Sequence, residues 1–533
     1  MGKPNFLMFI TDQQRADHLG CYGNKVLKTP NIDAIAAKGR IFERFYAANP
    51  NCMPNRASIL TGRMPSAHGA RHNGLPLSLN ATTFVELLRA AGYKTGSVGK
   101  SHIQNQTQNQ LTPGQWAPGP GTAPPDALLD ARKDWRRGQD YDAEKIPLLV
   151  ADPHRDIQLP YYGYEHVRLS NGHGDMVQGH YTGWLAERHN DHMELRGPKN
   201  AQATPGWSAP QAWKTSIPEE HYPTAYVREM ALEYLDGYAA SNIDDPFFLF
   251  CSFPDPHHPF TPPGKYWGMY DPAEIELPAS FGQVGKDEPA FVRHLRDEFE
   301  RGEAKQTAVY PFICGERDAR EILALTYGMI SMVDDAVGAV MAKLAALGLA
   351  DDTVVIYNAD HGDFMGDHSL MLKSGIHYDA VMRVPFIWSD PEDGGSGTTD
   401  ILGSSIDIAP SILARAGLAP FHGMQGMNVV DAAKNGSALP RDGLTVEEDA
   451  LGSHIGIDAG ELRLRSYLVD QWRMTLTDGQ EMGELYDRGD DPLELNNLWN
   501  DPAAATQKAE VMERWMRETI RLSDWSGLAE YQA

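Results

Sequence analysis

The chain has little cysteine, little positive charge and no long apolar run. Its four cysteines in 533 residues are too sparse and too irregularly spaced for a disulfide framework or a CxxC zinc site, which favours a reduced, intracellular protein. Lysine and arginine total 47 against 72 aspartate and glutamate, giving a formal net charge of -25. Long-range repulsion therefore disfavours nucleic acid and anionic membranes as partners.

The amino-terminal residues also lack the features of a secretion signal. Residues 1–10 contain no basic leader, no long apolar core and no small-residue cleavage site. No apolar run approaches the roughly 20 residues needed to span a bilayer. We therefore expect a cytoplasmic protein without a membrane partner, in which any anionic substrate meets a locally positive site.

Short apolar runs alternate with helical patterns along the chain. The runs at 5–11, 95–98, 247–253 and 353–357 are typical of buried strands. Thr83 and Glu86 have capping-box spacing ahead of a helical pattern, and another helical pattern over 334–347 ends before Gly348. This alternation predicts the α/β class, with a large, mostly parallel sheet sandwiched by helices.

The length predicts a large domain carrying a smaller one. We expect a catalytic domain over 1–435 and a carboxyl-terminal α+β subdomain with a tail over 436–533, because strand-like alternation and a final helical pattern follow a composition change near 435. Proline and glycine crowd 112–125, and little periodicity returns before about residue 220. The segment 104–220 is therefore interpreted as a long excursion over the active face.

Two polar pairs follow predicted strands. Asp12 and Gln13 come after the first strand, and Asp360 and His361 come after the strand at 353–357. Ligand crevices of open α/β sheets lie at the carboxyl ends of the strands. Two carboxylates, an imidazole and an amide oxygen suit one divalent ion such as Mn²⁺ or Ca²⁺, although an aspartate after a strand is more often a helix cap.

A third segment carries a more specific pattern. Residues 51–63 read NCMPNRASILTGR, in which C-x-P-x-R is followed by T-G-R. Pro54 suits the first turn of a helix and Gly62 its end, so Cys52 is expected at a helix amino terminus that favours anions. The alternative is a buried structural cysteine. A cysteine-dependent phosphatase is excluded, because Arg56 comes too soon after Cys52 for the phosphate loop of those enzymes.

This segment resembles the signature of the sulfatase family, in the alkaline phosphatase superfamily. Further segments resemble family motifs in the family's order, and they read GKSH at 99–102, PHHPF at 256–260, NADHG at 358–362, Lys373, LYD at 485–487, DP at 491–492 and NNL at 496–498. The resemblance covers most of the chain except 104–220. It implies that Cys52 is converted to formylglycine, whose hydrate offers one hydroxyl for attack and another for product expulsion.

The resemblance also implies a metal site. Asp12, Asp360 and His361 are expected to bind the ion together with the modified Cys52. Gln13 stands where most sulfatases have a second aspartate, a departure that resembles the phosphonate monoester hydrolase branch and leaves open whether Gln13 is a ligand or a neighbour.

The remaining implied roles concern the substrate. Arg56 is expected to steady the ionised nucleophile, while Lys100 and Lys373 bind the non-bridging oxygens. His257 is the expected acid for the leaving group, and His102 the base that lets sulfate depart. Asn73 lies where phosphonate hydrolases have a substrate-contacting asparagine.

Other clusters are interpreted as structural. The segment 189–192 (HNDH) has the composition of a metal site but is expected to be a solvated loop. His368 and His377 are expected either to support the metal ligands from behind or to pack near the site, because the metal already has its ligands. The pair Asp334 and Asp335 is predicted to form an exposed helix face.

The sequence thus predicts a formylglycine-dependent hydrolase of aryl or alkyl sulfate monoesters, with a small-molecule substrate and a formylglycine-generating enzyme as partners. The near alternative is a phosphonate monoester and phosphodiester hydrolase with the same site. A phosphatase or phosphomutase relative with a Ser or Thr nucleophile, and an inactive binding protein, are more distant alternatives. A homo-oligomer, a dimer or a tetramer, is expected from apolar residues of the tail, namely Trp515, Trp525, Leu528 and Tyr531.

Overall fold

The computed structural model describes residues 3–528 except 108–124, 126–127, 129–130, 133, 135, 242, 305, 307–310, 394 and 452–460. The strands are β1 (Asn5–Thr11), β2 (Arg40–Phe42), β3 (Phe45–Tyr46), β4 (Lys94–Gly99), β5 (His166–Asn171), β6 (Gln178–Gly179), β7 (Phe247–Phe253), β8 (Phe312–Ile313), β9 (Thr353–Ala359), β10 (Leu370–Met371), β11 (Phe386–Ser389), β12 (Gly397–Thr399), β13 (Gly403–Ser404), β14 (Leu444–Leu451), β15 (Glu461–Val469), β16 (Trp472–Thr477) and β17 (Glu484–Asp487).

The α-helices are α1 (Pro30–Ala37), α2 (Cys52–Thr61), α3 (Pro65–His68), α4 (Phe84–Ala90), α5 (Ile146–Ala151), α6 (His180–Arg188), α7 (Pro223–Ala240), α8 (Gly264–Trp267), α9 (Ala290–Glu300), α10 (Glu316–Ala346), α11 (Asp379–Met382), α12 (Ile408–Arg415), α13 (Val429–Asn435) and α14 (Ala505–Arg521). Short 3₁₀ turns connect several of them.

Nine strands form the central sheet, in the order β12-β2-β11-β9-β1-β7-β4-β5-β6. The inner strands β9, β1, β7, β4 and β5 run parallel to their neighbours in that series, whereas β11 is antiparallel to both β9 and β2. All seven residues of β1 are buried. Leu7 and Phe9 join the core on one face of the sheet, and Phe6, Met8 and Ile10 join the core on the other. The predicted mostly parallel α/β sheet is confirmed.

The helices cover both faces. Helices α7 and α10 pack together on one face, while α2, α4 and α12 pack on the other. Thr83 and Glu86 form the predicted capping box at the start of α4. Helix α10 is long and apolar enough to cross a membrane, but 83% of its most apolar window is buried inside the protein.

The segment 104–220 is more regular than its composition predicts. It contributes β5, which pairs in parallel with β4 and extends the central sheet, as well as β6, α5 and α6. Strand β5 is short, and its only apolar residues are Val167 and Leu169, both of which are buried. Such a short pattern between proline- and glycine-rich loops is too weak to identify a strand from sequence.

A second sheet follows the catalytic part of the chain. Strands β14 to β17 form a four-stranded antiparallel sheet in sequence order, and α14 packs on it. The predicted carboxyl-terminal α+β subdomain is thus present. Trp515 on α14 is buried and stacks on Tyr467, so it adds little to a free apolar surface. Trp525 and Leu528 are 48% and 71% exposed, and Tyr531 lies outside the described residues.

The prediction that Asp334 and Asp335 form an exposed face is wrong for Asp334. Adjacent helix positions point in different directions, and Asp334 faces inward with 1% exposure. Its carboxylate accepts hydrogen bonds from the backbone N–H groups of Asn31 and Ile32 at the start of α1. Burial raises the pKa of Asp334 to about 6. Asp335 is the exposed member of the pair.

Candidate active site

The two predicted polar pairs lie side by side. Strands β1 and β9 are parallel neighbours, so the residues that follow them meet at the same edge of the sheet. The backbone N–H of Gln13 donates to Asp360 Oδ1 at 3.0 Å, and His361 Nε2 lies 3.5 Å from Asp12 Oδ1. All four side chains are buried. The predicted meeting of these pairs is confirmed.

Cys52 is the first residue of α2, and all ten residues of that helix are buried. Gly62 ends the helix in the left-handed conformation, with φ of 62°, as predicted for a glycine at that position. Asn73 lies beside the helix start, where its Oδ1 accepts a hydrogen bond from Met53 N at 3.3 Å. The helix amino terminus therefore faces the two polar pairs, with Cys52 Sγ 3.1 Å from His361 Nε2.

Four of these residues fit a metal ion. Asp12, Cys52, Asp360 and His361 each offer one ligand atom, and these atoms lie within 4.8 Å of one another. His361 Nδ1 donates to the carbonyl oxygen of Gly362 at 2.8 Å, which fixes the ring and directs Nε2 into the cluster, as for metal-binding histidines in general. Among the described residues, no other group of His, Cys, Asp and Glu offers such a set.

The segment 189–192 accordingly has no metal-like geometry. His189 Nε2 instead pairs with His221 Nδ1 at 2.8 Å. The predicted packing role of His368 is also seen, because its ring stacks on Tyr378 with centroids 3.8 Å apart.

Arg56 contacts the carboxylates of both Asp360 and Asp12. Its Nε donates to Asp360 Oδ2 at 2.8 Å, and its Nη2 lies 3.8 Å from Asp12 Oδ2. Its Nη1 donates to the carbonyl oxygen of Lys100 and to Ser252 Oγ. No hydrogen bond joins Arg56 to Cys52 among the described contacts, so its effect on residue 52 is exerted through charge.

Lys373 contacts the nucleophile position directly. Its Nζ is 3.4 Å from Cys52 Sγ, 2.7 Å from Gln13 Oε1 and 2.8 Å from His257 Nε2. Gln13 also donates from Nε2 to Asp363. The Gln13 side chain thus lies inside the site, bound to Lys373 through the oxygen that a metal would use.

Lys100 is a second buried cation of the site. Its Nζ is buried, contacts Asp12 and lies 2.8 Å from His173 Nε2. The ring of His173 stacks on that of His257 with centroids 3.6 Å apart and an interplanar angle of 12°. His102 is buried with φ of 54°, and its Nδ1 has no hydrogen-bond partner among the described contacts.

The field at residue 52 favours an anion. Burial and Asp12 oppose ionisation of the Cys52 thiol, but Lys373, Lys100 and His361 hold its pKa below the ordinary value. Burial likewise opposes the charge of Asp12, yet Lys100 and the neighbouring histidines hold its pKa well below the usual range. Three cationic or imidazole groups therefore converge on residue 52.

Three further residues lie in the site that the sequence did not predict. His173 comes from the 104–220 segment, and its only signal was the pair of flanking glycines, Gly172 and Gly174. His258 is next to the predicted His257, and its Nδ1 lies 3.1 Å from Gln13 Nε2. Asp363 follows Asp360 and His361 by a few residues, and burial raises its pKa to about 6.

The sulfatase family model matches residues 4–418, and a second model, the carboxyl-terminal part of N-sulphoglucosamine sulphohydrolase, matches residues 366–521. The chain belongs to the sulfatase family. It is therefore a sulfuric ester hydrolase of the alkaline phosphatase superfamily. Sulfatases generally use a metal ion and formylglycine, and the four-residue cluster is a possible site for that ion.

Relatives match this sulfatase over nearly its whole length. The uncharacterized sulfatase YidJ of Escherichia coli is 27% identical, over 99% of this chain and 90% of that protein. The arylsulfatase of Clostridium perfringens is 26% identical, over 93% of this chain and 90% of its own length. Among solved structures, the phosphonate monoester hydrolase of Agrobacterium radiobacter has a TM-score of 0.73 and 24% identity, covering 99% of this chain and 98% of that one, which establishes a shared fold.

Proposed function

We propose that this sulfatase hydrolyses aryl sulfate monoesters through a formylglycine made from Cys52. The observation that carries the proposal is the position of Cys52 Sγ at a helix amino terminus, in contact with Lys373 and His361 and close to Asp12. A thiol buried for packing alone needs no such polar neighbours. The likeness to an arylsulfatase supports the same substrate class.

As the hydrate of formylglycine, residue 52 supplies one hydroxyl for attack on sulfur and a second whose deprotonation releases sulfate. The helix amino terminus and Arg56 favour negative charge at this position. Sγ of Cys52 occupies the region that the two hydroxyl oxygens take after modification.

Asp12, Asp360 and His361 would hold one divalent ion, Mn²⁺ or Ca²⁺, beside residue 52, with Gln13 Oε1 as a further oxygen donor. Two carboxylates and an imidazole that donates its other N–H to a backbone carbonyl fit this role. When bound, such an ion neutralises charge on the nucleophile and the sulfate.

Lys100 and Lys373 are proposed to bind the non-bridging sulfate oxygens. Both ammonium groups are buried beside the nucleophile, where a preorganised charge stabilises a transition state more than it does in water. Their present partners, Asp12 and Gln13, are groups that a metal ion would engage, and this would leave the lysines available to the substrate.

His257 is proposed to protonate the leaving group. Its Nδ1 donates to the carbonyl oxygen of His258, so Nε2 faces the site. Burial, His173 and Lys373 hold the pKa of His257 well below the usual range, and a bound sulfate reverses part of that field by adding negative charge. His102 is proposed as the base that removes a proton during sulfate release.

Phosphonate monoester and phosphodiester hydrolysis is the second candidate. It is favoured by Gln13, whose side chain lies among the metal-site residues where most sulfatases have an aspartate. Sulfate and phosphonate transfer share an in-line geometry with charge on the equatorial oxygens, so one site can accept both.

The deciding experiment compares aryl sulfate, phosphate monoester, phosphodiester and phosphonate esters that share one leaving group. We expect the highest kcat/KM for the aryl sulfate, with weaker diester and phosphonate activity. A higher kcat/KM for the phosphonate ester would instead establish the second candidate.

Two partners complete the proposal. Conversion of Cys52 requires a formylglycine-generating enzyme.

The exposed Trp525 and Leu528 support a homo-oligomer, a dimer or a tetramer, in which the tail docks on another subunit. Light scattering at micromolar concentration tests this, and a monomer would contradict it.

A further inference from the structure

One buried carboxylate of the second sheet reaches toward the active site. Glu448 lies on β14, has no exposed surface and sits between the chain segment that precedes Cys52 and the loop that follows Lys373. A buried charge is costly unless it is well paired, so its partners show what it holds in place.

All these partners are donors from the catalytic part of the chain. Asn51 Nδ2 donates to Glu448 Oε1 at 2.8 Å, and Gly375 N lies 3.1 Å from both carboxylate oxygens. His377 Nε2 is 3.0 Å from Oε2. Asn51 directly precedes Cys52, and Gly375 is two positions after Lys373, so one carboxylate joins both active-site segments.

The Asn51 side chain bonds to Glu448 and to the loop after Lys373 instead of capping its own helix. Asn51 occupies the N-cap position of α2, where asparagine usually bonds to the helix backbone, yet its side chain makes no such bond. Its Oδ1 instead accepts a hydrogen bond from Ser374 Oγ at 2.6 Å. A closed ring of contacts therefore runs through Glu448, Asn51, Ser374 and Gly375.

The Lys373 loop needs external support. Leu372 and Ser374, on either side of Lys373, have φ of 70° and 83°, in the left-handed region that non-glycine residues seldom adopt. Such a backbone persists where the surroundings fix it. The bonds from Glu448 to Gly375 and from Ser374 to Asn51 supply fixed points directly after Lys373.

The support extends into the second sheet. His377 Nδ1 lies 2.7 Å from Ser466 Oγ on β15. Ser466 Oγ in turn lies 2.6 Å from Thr475 Oγ1 on β16. His377, expected to support the metal ligands or to pack near the site, thus links Glu448 to two further strands. The sheet itself therefore orients the carboxylate.

We infer that Glu448 is a positioning residue that holds Lys373 against residue 52, so that the carboxyl-terminal sheet takes part in building the catalytic centre. The expected effect of Glu448 on turnover rests on the proposed function. Strand β14 thereby has a role in the reaction without contact with the substrate.

The test compares Glu448→Ala with Glu447→Ala. Glu447 is the adjacent residue on β14 and is also buried, but it bonds to Ser66 N and Oγ at the start of α3, away from the active-site loops. Both variants lose a hydrogen-bonded carboxylate from the same strand. Aldehyde content at residue 52, measured by peptide mass spectrometry, normalises the activity of each.

With an aryl sulfate as probe, we expect Glu448→Ala to lower kcat about a hundredfold, the order expected for misplacement of a catalytic group by about 1 Å. KM should change little, and Glu447→Ala should keep the wild-type kcat. An unchanged kcat in Glu448→Ala, or equal losses in both variants, would overturn the inference. If Glu448→Ala does not fold, the isosteric Glu448→Gln replaces it. We expect this variant to lose about tenfold in kcat. A wild-type kcat in Glu448→Gln would overturn the inference.

Crystal structures of the unmodified variants give a readout that does not need turnover. The distance from Lys373 Nζ to Cys52 Sγ, 3.4 Å in the parent, should lengthen in the Glu448 variant and stay the same in Glu447→Ala. An unchanged distance in both would refute the positioning role. If the proposed function is wrong, the wild-type protein will not hydrolyse the aryl sulfate. The distance from Lys373 Nζ to Cys52 Sγ then decides by itself whether Glu448 positions Lys373.

Discussion

The metal half of the site follows two adjacent strands, whereas the substrate half combines a strand end with loops, because Lys100 directly follows β4. Asp12 and Asp360 come directly after β1 and β9, which lie in the middle of the central sheet. Lys373 and His173 come instead from a loop with left-handed residues and from the long segment 104–220. We expect the metal half to set whether the reaction occurs, and the substrate half to set its rate and its preferred ester.

The largest effect should come from Cys52, at the junction of the two halves. Cys52→Ala should lower kcat by at least about a thousandfold, because it removes the nucleophile precursor. Circular dichroism and the melting temperature should remain close to the parent values. Peptide mass spectrometry that finds only unmodified cysteine in fully active enzyme would contradict the role of residue 52.

Lys100 tests the substrate half. Lys100→Ala should cost on the order of 3 kcal/mol of transition-state stabilisation, about a hundredfold in kcat/KM for an aryl sulfate, and less for a phosphonate ester. A compact sulfate presents three equivalent oxygens to a fixed ammonium group, whereas a phosphonate carries a carbon substituent in one position. Equal losses for both esters would show that this half does not discriminate between them. Lys343→Ala, on the surface of α10, is the control.

Asp360 tests the metal half. Chelation should remove activity, and Mn²⁺ or Ca²⁺ should restore it. Asp360→Asn should weaken metal binding about tenfold to a hundredfold by calorimetry, because it removes a charged oxygen ligand. Asp390→Asn, which removes a buried carboxylate that pairs with Arg415, should leave metal affinity unchanged. Full activity of metal-free protein would refute this assignment.

The smallest effect should come from His173. His173→Ala removes the ring stacked on His257 and the neighbour of Lys100, and we expect a loss of about 1.4 kcal/mol, or tenfold in kcat/KM, with metal affinity unchanged. His189→Ala, in the same long segment but paired with His221, should have no effect on turnover. If His173→Ala weakens metal binding instead, the two halves are not separable.

The same division explains what sequence could predict. Asp12, Asp360 and the strands before them were predictable, because buried strands have a clear apolar pattern and their ends have a known place in the fold. His173 was not, because no local pattern tells which residue of a long, irregular segment folds back over the sheet. Glu448 was missed for the related reason that a polar residue in a strand reveals its burial only through partners far away in sequence.

The inward-facing Asp334 has a consequence for how the chain folds. The first turn of α1 lacks a side-chain cap from Thr29, and its free N–H groups are satisfied by α10, 303 residues away in sequence. Closing so long a loop is slow compared with forming a helix, so we expect α1 to reach its full stability only when α10 docks. The amide hydrogens of Asn31 and Ile32 should therefore exchange with deuterium at one common rate, set by the separation of two distant parts of the chain and not by fraying of α1 itself.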